Sequence, residues 1–452
     1  MKTWHTTDPG FAEAWAALCA RGSAQDEGPV REAAAAIVSD VRARGDAALL
    51  ELTERFDGWR PGSAEALALG PADFEAAFRA LPAPARRALE VAAQRIAAFH
   101  RREVDAEVRP YRDRSGATLG QLTRPLRRVG VYAPGGTARY PSTILMTAVP
   151  ARVAGVSEVV ACSPAIRGSG EVDPWTLGAC RVAGVQRLFR IGGAQAIAAL
   201  AHGTATVPAV DKICGPGNAY VAAAKRLVFG QVDIDMIAGP TEVVVVAGPR
   251  ANPAEAASDL LAQAEHDARA VPVLITPSPR VAEATEREVF RQLADLPRRD
   301  IATRALEERG ALVVTRDVAE AIALADAFAP EHLALLLPDA RRWLKRIARA
   351  GAVFVGTSTP EAVGDYVAGP SHVLPTAGTA RFASPLSVAT FRRRMSVLEL
   401  SPAALAAAAP TVEAMAAAEG LEAHARAVRL RLPARPRAAG PARARGRRRV
   451  RR

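Results

Sequence analysis

Four of the seven histidines lie beyond residue 260, each beside carboxylates, an amide or glycines. They are His266 in Gln263-Ala-Glu-His266, His332 in Pro330-Glu331-His332, His372 shortly after Gly364-Asp365-Tyr366, and His424 in Glu419-Gly-Leu-Glu-Ala-His424. Imidazole binds metals and moves protons near neutral pH, so a histidine-poor chain that places them this way points to an enzyme. Gln263 and His266 stand three apart in a helical segment, Asn252 to Ala270, and that spacing puts both on one helix face. An amide oxygen and an imidazole can converge there on one ion. Asp365 can add a carboxylate and His424 a second imidazole, an N₂O₂ set suited to zinc, or to manganese, rather than to calcium or magnesium. Alone, the Gln263–His266 pair reads more often as a solvated helix face than as a metal site, and spacing cannot assemble ligands this far apart.

Glu331 and His332 follow Ala329-Pro330 and open an apolar run. An adjacent acid and imidazole at an element start can share proton transfer, the histidine as base and the glutamate polarising water. On these residues alone, a helix-start glutamate beside a packed histidine is the preferred reading. Asp365 and His372 fall in glycine-punctuated loops, which bring backbone close to ligands but also serve as plain turns. Three further glycine-rich turns follow expected strands, at Tyr132-Ala-Pro-Gly135-Gly136, Ile191-Gly192-Gly193-Ala-Gln195 and Cys214-Gly215-Pro-Gly217-Asn218. Such turns at the carboxyl ends of parallel strands are where open α/β sheets bind nucleotides, although no G-x-G-x-x-G is present.

These side chains need a scaffold, and 452 residues imply more than one domain. Residues 26 to 104 carry alanine, leucine and charge at helical spacing. From Arg127 onward, short apolar runs ending in glycine alternate with helical segments. The expected strands begin at Arg128, Glu158, Arg187, Lys212, Glu242, Val271, Ala311, His332 and Ala352. That alternation predicts an α/β fold with two parallel sheets covered by helices. Ser401-Pro402 starts a helix with a cap and a proline, and Gly420 precedes an amphipathic piece that holds His424.

No apolar run reaches the length of a membrane span, and the amino terminus lacks a signal-peptide pattern, so the expected location is cytoplasmic. Cys19, Cys162, Cys180 and Cys214 form no CxxC pair and suggest neither a sulfur-bound zinc nor a disulfide framework. The net charge of +12 is concentrated in residues 433–452, where nine arginines and no acid leave only +3 for the rest. That tail reads as a disordered extension. Nucleic-acid binding through it is the rival reading, weakened by the lack of interleaved aromatics.

Taken together and in order, Tyr132-APGG, IGGAQAIAALAHGT, DKICGPGNAYVAAAKR, IDMIAGPTEV, QAEH, APEHL, GDY, HVLPT and EGLEAH resemble histidinol dehydrogenase, from about residue 26 to 431. The resemblance implies two Rossmann-like open-sheet domains with helical extensions at both ends. Its expected boundaries are a 1–25 arm, a first domain of 26–131 plus 242–385, and an inserted NAD-binding domain of 132–241. A C-terminal helical dimerisation piece of 386–432 and the tail of 433–452 complete the chain. By motif it implies one zinc per subunit on Gln263, His266, Asp365 and His424, and catalysis by Glu331 and His332. Substrate contacts fall on Thr241, Gln263, His266, His332, Asp365, His372, Glu419 and His424, and NAD contacts on Tyr132, Gln195 and Asn218. It further implies a homodimer in which Glu419 and His424 complete the partner's site. The implied activity is NAD-dependent oxidation of L-histidinol to L-histidine through the aldehyde, with another small polar alcohol as the rival substrate. Thr241 replaces the serine of many relatives, and Ser371 stands where asparagine is expected before His372.

Overall fold

The computed structural model describes residues 1–21, 28–104, 110–135 and 139–433, so most of the arginine-rich tail lies outside the described residues. In chain order the strands are β1 (Lys2–His5), β2 (Ala68–Leu69), β3 (Tyr111–Arg112), β4 (Ala117–Pro125), β5 (Arg128–Tyr132), β6 (Glu158–Cys162), β7 (Arg187–Phe189) and β8 (Lys212–Cys214). They continue as β9 (Asp233–Ile234), β10 (Glu242–Ala247), β11 (Val271–Thr276), β12 (Ala311–Val314), β13 (His332–Leu336), β14 (Ala352–Val355) and β15 (Arg392–Leu400). All nine strands expected from the sequence are present.

Two six-stranded sheets share one topology. The first has the order β1-β12-β11-β10-β13-β14 and is parallel throughout. The second has the order β2-β7-β6-β5-β8-β9, with only the edge strand β2 antiparallel. In each, an edge strand comes first in the chain (β1 or β2), and the remaining five start at a central strand (β10 or β5), with two laid to one side and then two to the other. This is the doubly wound arrangement that helices on both faces impose.

Burial explains the apolar runs. Every residue of β10 is buried. Val243, Val245 and Ala247 pack with Leu260 and Leu261 on one face, while Val244 and Val246 pack with Phe328 and Trp343 on the other. A strand covered on both faces reads as a continuous apolar run rather than an alternation, and each buried valine contributes about 1.5–3 kcal/mol. In β5, Gly130 serves close packing: a Cβ there would lie 2.9 Å from a Leu200 methyl of the covering helix Gly193–His202.

The boundaries differ from those expected. Helices Gly28–Arg44 and Asp46–Asp57 put Ala34, Val41, Leu49 and Leu52 against Phe189, Ile197 and Leu200 of the second sheet's layer. Helices Pro71–Ala80 and Ala83–His100 put Phe74, Phe78, Leu89 and Ile96 against Leu145 and Leu188 on its other face. Residues 28–104 therefore belong with the second sheet rather than the first, and a boundary at 131/132 would cut β5. The 1–25 segment is more than an arm: β1 pairs with β12, and Trp15 of helix Phe11–Cys19 packs on Phe328 at 5.6 Å between ring centroids.

Both sheets lie in one compact unit, residues 1–105 with 125–393. A smaller unit combines the described residues of 106–124 and of 394–452. It contains helices Pro402–Ala418 and Glu422–Arg429, and the sheet β15-β4-β3 is built largely from its residues. The C-terminal piece is thus not purely helical, because a hairpin from the middle of the chain joins it. Ser401 caps the longer helix by accepting the Ala404 N–H at 3.1 Å, with Pro402 in the first turn.

Candidate active site

Thr241 immediately precedes β10 and Glu331 immediately precedes β13, neighbouring strands registered Val243 to His332. The candidate catalytic side chains therefore gather at the amino-terminal edge of the first sheet. Ligands in such folds ordinarily sit at the opposite edge.

His332 is buried, and its Nδ1 lies 2.9 Å from the Glu242 carbonyl oxygen. A carbonyl only accepts, so Nδ1 carries the proton and donates it. Nε2 is left as a buried lone pair with no hydrogen-bond partner. Burial lowers the affinity of His332 for a proton, which keeps the ring neutral at pH 7, while Asp365 and then Glu242 pull the other way. A neutral imidazole with a committed Nδ1–H and a free Nε2 is a general base awaiting an acidic proton.

Glu331 is also buried, and burial pushes its carboxyl well above the ordinary range, with the neighbouring Glu242 adding to the effect. Its Oε2 lies 2.6 Å from Thr241 Oγ1 and 2.9 Å from the Glu242 N–H, which donates to it. Thr241 Oγ1 lies 2.5 Å from Gln263 Oε1. One hydroxyl proton cannot serve two acceptors. The Thr241 hydroxyl therefore donates to one of them at a time, Glu331 Oε2 or Gln263 Oε1, and links the two side chains.

Gln263 is the penultimate residue of helix Pro253–Ala264, started by Pro253 and by Asn252, whose side chain accepts the Ala254 N–H at 3.1 Å. His266 lies beyond the helix end, in a turn closed by its own N–H on the Gln263 carbonyl at 3.1 Å. The two side chains are thus joined by a turn rather than by a shared helical face as the spacing predicts. The helix stops before reaching His266 because the chain must turn into β11.

Asp365 sits on the short helix Glu361–Tyr366, against which His372 closes: its Nδ1 donates to the Asp365 carbonyl at 3.0 Å, and Asp365 Oδ1 is 3.9 Å away. Ser371 supports this loop without an asparagine, donating to the Met146 carbonyl at 2.9 Å and accepting the Val373 N–H at 3.2 Å. Burial lowers the proton affinities of His266 and His372, and Asp365 raises both.

The larger unit thus brings together Thr241, Gln263, His266, Glu331, His332, Asp365 and His372. Glu419 and His424 are exposed in the smaller unit. Among the described residues there is no group of three or more histidine, cysteine or carboxylate side chains able to hold a metal. The larger unit offers an amide oxygen, a neutral imidazole and a carboxylate, a borderline N/O donor set that fits zinc and needs a further ligand to close.

The three glycine turns converge at the carboxyl edge of the second sheet. Gly135 and Gly192 both press on Pro164, and a Cβ on Gly215 (φ +113°) would overlap the Tyr132 carbonyl. Tyr132 Oη accepts the Gly193 N–H at 3.1 Å, and Gln195 is buried within the helix that follows. Asn218 Oδ1 caps the next helix by accepting the Tyr220 and Val221 N–H groups, each at 3.1 Å. These turns flank the crevice beside β5, where the strand order reverses.

Sequence reasoning missed Tyr140, Lys225 and Glu242. The Tyr140 ring stacks on His266 at 6.4 Å between centroids and 20° between planes. Lys225 is buried against Asp235 at 2.5 Å and donates to the Gly215 carbonyl at 2.8 Å, pinning the third glycine turn. Glu242 supplies the backbone groups that hold both Glu331 and His332. A charge opening an otherwise apolar strand was the one signal that could have found it.

The profile of the family described as histidinol dehydrogenase matches residues 20–432. Histidinol dehydrogenase of Cereibacter sphaeroides is 50% identical over 428 residues, 94% of this chain and 97% of the relative. That of Syntrophotalea carbinolica is 49% identical over 432 residues, covering 96% and 99%. The crystal structure of histidinol dehydrogenase from Elizabethkingia anophelis superposes with a TM-score of 0.89 at 34% identity, covering 95% of this chain and 98% of that one. Match over nearly the full length, in sequence and in fold, shows that the chain belongs to the histidinol dehydrogenase family, oxidoreductases of histidine biosynthesis.

Proposed function

We propose that the chain oxidises L-histidinol to L-histidine through L-histidinaldehyde, passing two hydrides to two NAD⁺ with one zinc per subunit. The observation that carries this reading is His332: a neutral, buried ring with Nδ1–H held by the Glu242 carbonyl and Nε2 free. In the first half-reaction Nε2 takes the hydroxyl proton as hydride leaves the same carbon. Before the second, His332 releases that proton to solvent water, and Glu331, as a carboxylate made more basic by burial, takes a proton from the water that attacks the aldehyde. The hydrated aldehyde loses its second hydride while His332 again accepts the hydroxyl proton.

NAD⁺ supplies the hydride acceptor, and Tyr132, Gln195 and Asn218 at the converging glycine turns are the residues to contact it. Zinc, when bound by Gln263, His266, Asp365 and His424, supplies a fixed point for the substrate's imidazole and amine, which is catalysis by positioning. Thr241, His372 and Glu419 complete the substrate contacts. Glu419 and His424 act from a second copy in a homodimer. Their exposure supports this, as does that of Leu398 and Leu400, two apart on one face of β15, which a second copy can cover. Cytoplasmic residence fits a biosynthetic enzyme, and no helix among the described residues is long and apolar enough to cross a membrane.

The test is zinc content and NADH yield measured on one purified sample. Two NADH per histidinol, with loss on chelation and return on adding zinc, is the expected result. Full turnover in a zinc-free sample would remove the metal from the account. Turnover of an unrelated polar alcohol with none of histidinol would overturn the substrate.

A further inference from the structure

The geometry points to Arg21 as a positioning residue for the catalytic pair, acting through Glu242. The inference rests on the reading of Glu331 and His332 as that pair. Arg21 grips the Glu242 carboxylate with both ends of its guanidinium, Nε to Oε1 at 2.6 Å and Nη2 to Oε2 at 2.8 Å. The two side chains are 3% and 2% exposed. Glu242 in turn touches both catalytic residues through its main chain: its N–H donates to Glu331 Oε2 and its carbonyl receives the His332 Nδ1 proton. The backbone angles of Glu242, which aim its N–H and its carbonyl, therefore set the orientation of the base and of its acidic neighbour together.

The same guanidinium also holds the approach to Glu331 from the other side. Nη2 donates to the Phe328 carbonyl at 2.9 Å, and the group lies 3.4 Å over the Phe328 ring. The next residue, Ala329, has φ +52°, a left-handed conformation rare for a residue with a side chain, and it turns the chain toward Pro330-Glu331-His332. Arg21 thus ties the start of β10 to the turn that delivers β13. A third tie closes the cluster, since Ala377, also left-handed at φ +56°, donates its N–H to Glu242 Oε1 at 2.8 Å.

A buried ion pair is weak evidence of a role in stability, because apolar replacements often serve as well. What an apolar pair cannot reproduce is a planar fork that fixes a carboxylate and two chain segments in one geometry. Arg21 reaches no reacting atom, so its effect is on orientation, and a misplacement of about 1 Å can cost on the order of 10² in rate.

The experiment compares Arg21→Met, Arg21→Lys and His332→Asn with the wild-type full chain, loaded with zinc, in steady-state histidinol oxidation. For Arg21→Met the expected loss in kcat is about 10², with both KM values within about threefold. Millimolar guanidinium restores at least about a tenth of the lost rate, ethylammonium restores none, and Arg21→Lys lies between. A folded Arg21→Met and Arg21→Lys with kcat within about threefold of wild type overturns the inference, as does a loss of kcat that guanidinium leaves unchanged. If Arg21→Met does not fold, the kcat against KM split in Arg21→Lys decides alone. His332→Asn separates the two levels. If it keeps normal turnover, the base assignment fails; if it is inactive while the Arg21 variants are normal, only the role of Arg21 fails.

Discussion

Replacing Thr241 by valine keeps its shape and removes the one hydroxyl that joins Gln263 Oε1, at 2.5 Å, to Glu331 Oε2, at 2.6 Å. Gln263 is 1% exposed, so water cannot replace the lost donor, and a buried polar atom left unpaired costs about 1–3 kcal/mol. Glu331 keeps the Glu242 N–H and loses only its second contact, about 1 kcal/mol more. The extra methyl returns up to about 0.8 kcal/mol by burial, leaving a net loss of about 2 kcal/mol. Such a loss lowers the melting temperature by several degrees, about 2–4 °C per kcal/mol in mid-sized proteins. The kinetic effect is unequal. The first oxidation needs the proton acceptor of His332, which Thr241 does not touch, whereas the second needs Glu331, which it does. Stopped-flow measurement of NADH from histidinol and from the aldehyde resolves the two halves. Thr241→Val slows the aldehyde step by at least about tenfold more than the alcohol step, on the scale of 10²–10⁴ for general acid–base assistance. Thr241→Ser, which keeps the hydroxyl, leaves both near wild type. Equal slowing of the halves, or a valine variant as stable as wild type, would refute the link that the Thr241 hydroxyl makes between Glu331 and Gln263.

Because burial lowers the proton affinity of His332, its neutral form persists below the ordinary histidine value of about 6.5, and the acid limb of the pH–rate profile lies below that value; a limb centred above it contradicts this environment. The same depression means the unfolded chain binds the proton more tightly, so this residue's contribution to stability declines as pH falls below about 6.5, and chemical denaturation followed from pH 7.5 to 5.5 reads the loss. Gly215→Ala forces a Cβ onto the Tyr132 carbonyl at φ +113°, and the expected outcome is an NAD⁺ KM raised by at least about tenfold, with zinc content unchanged; an unaltered KM would separate that turn from the nucleotide. Truncation after Leu432 leaves histidinol oxidation unchanged and removes any salt-sensitive binding of nucleic acid, measured by activity and by fluorescence anisotropy in parallel.

The scaffold was legible where a physical period writes itself into the chain. β10 could be read because both of its faces are covered and its run is unbroken from Val243 to Ala247. The owner of the helices at 28–104 could not be read, because an apolar stripe shows that a helix is covered but not by which sheet. Ala34 and Leu49 would look the same on either one. The Gln263–His266 pairing was legible from spacing, although the turn that joins them was not. Nothing local marks Arg21: its partner is 221 residues away, and one arginine among many has no period. Glu331, His332 and Asp365 gain their meaning only in the fold, where the Glu242 carbonyl fixes one ring's tautomer and burial raises a carboxyl's proton affinity. Shared motif order pointed to them sooner than periodicity could.

The central claim is that Nε2 of His332 is the base in both hydride steps. Single-turnover oxidation of histidinol by zinc-loaded His332→Asn tests it most directly, because asparagine keeps a donor for the Glu242 carbonyl while removing the basic lone pair. The account predicts a rate lower by about 10²–10⁴ with zinc content and histidinol binding preserved. A single-turnover rate within a few-fold of wild type would contradict it.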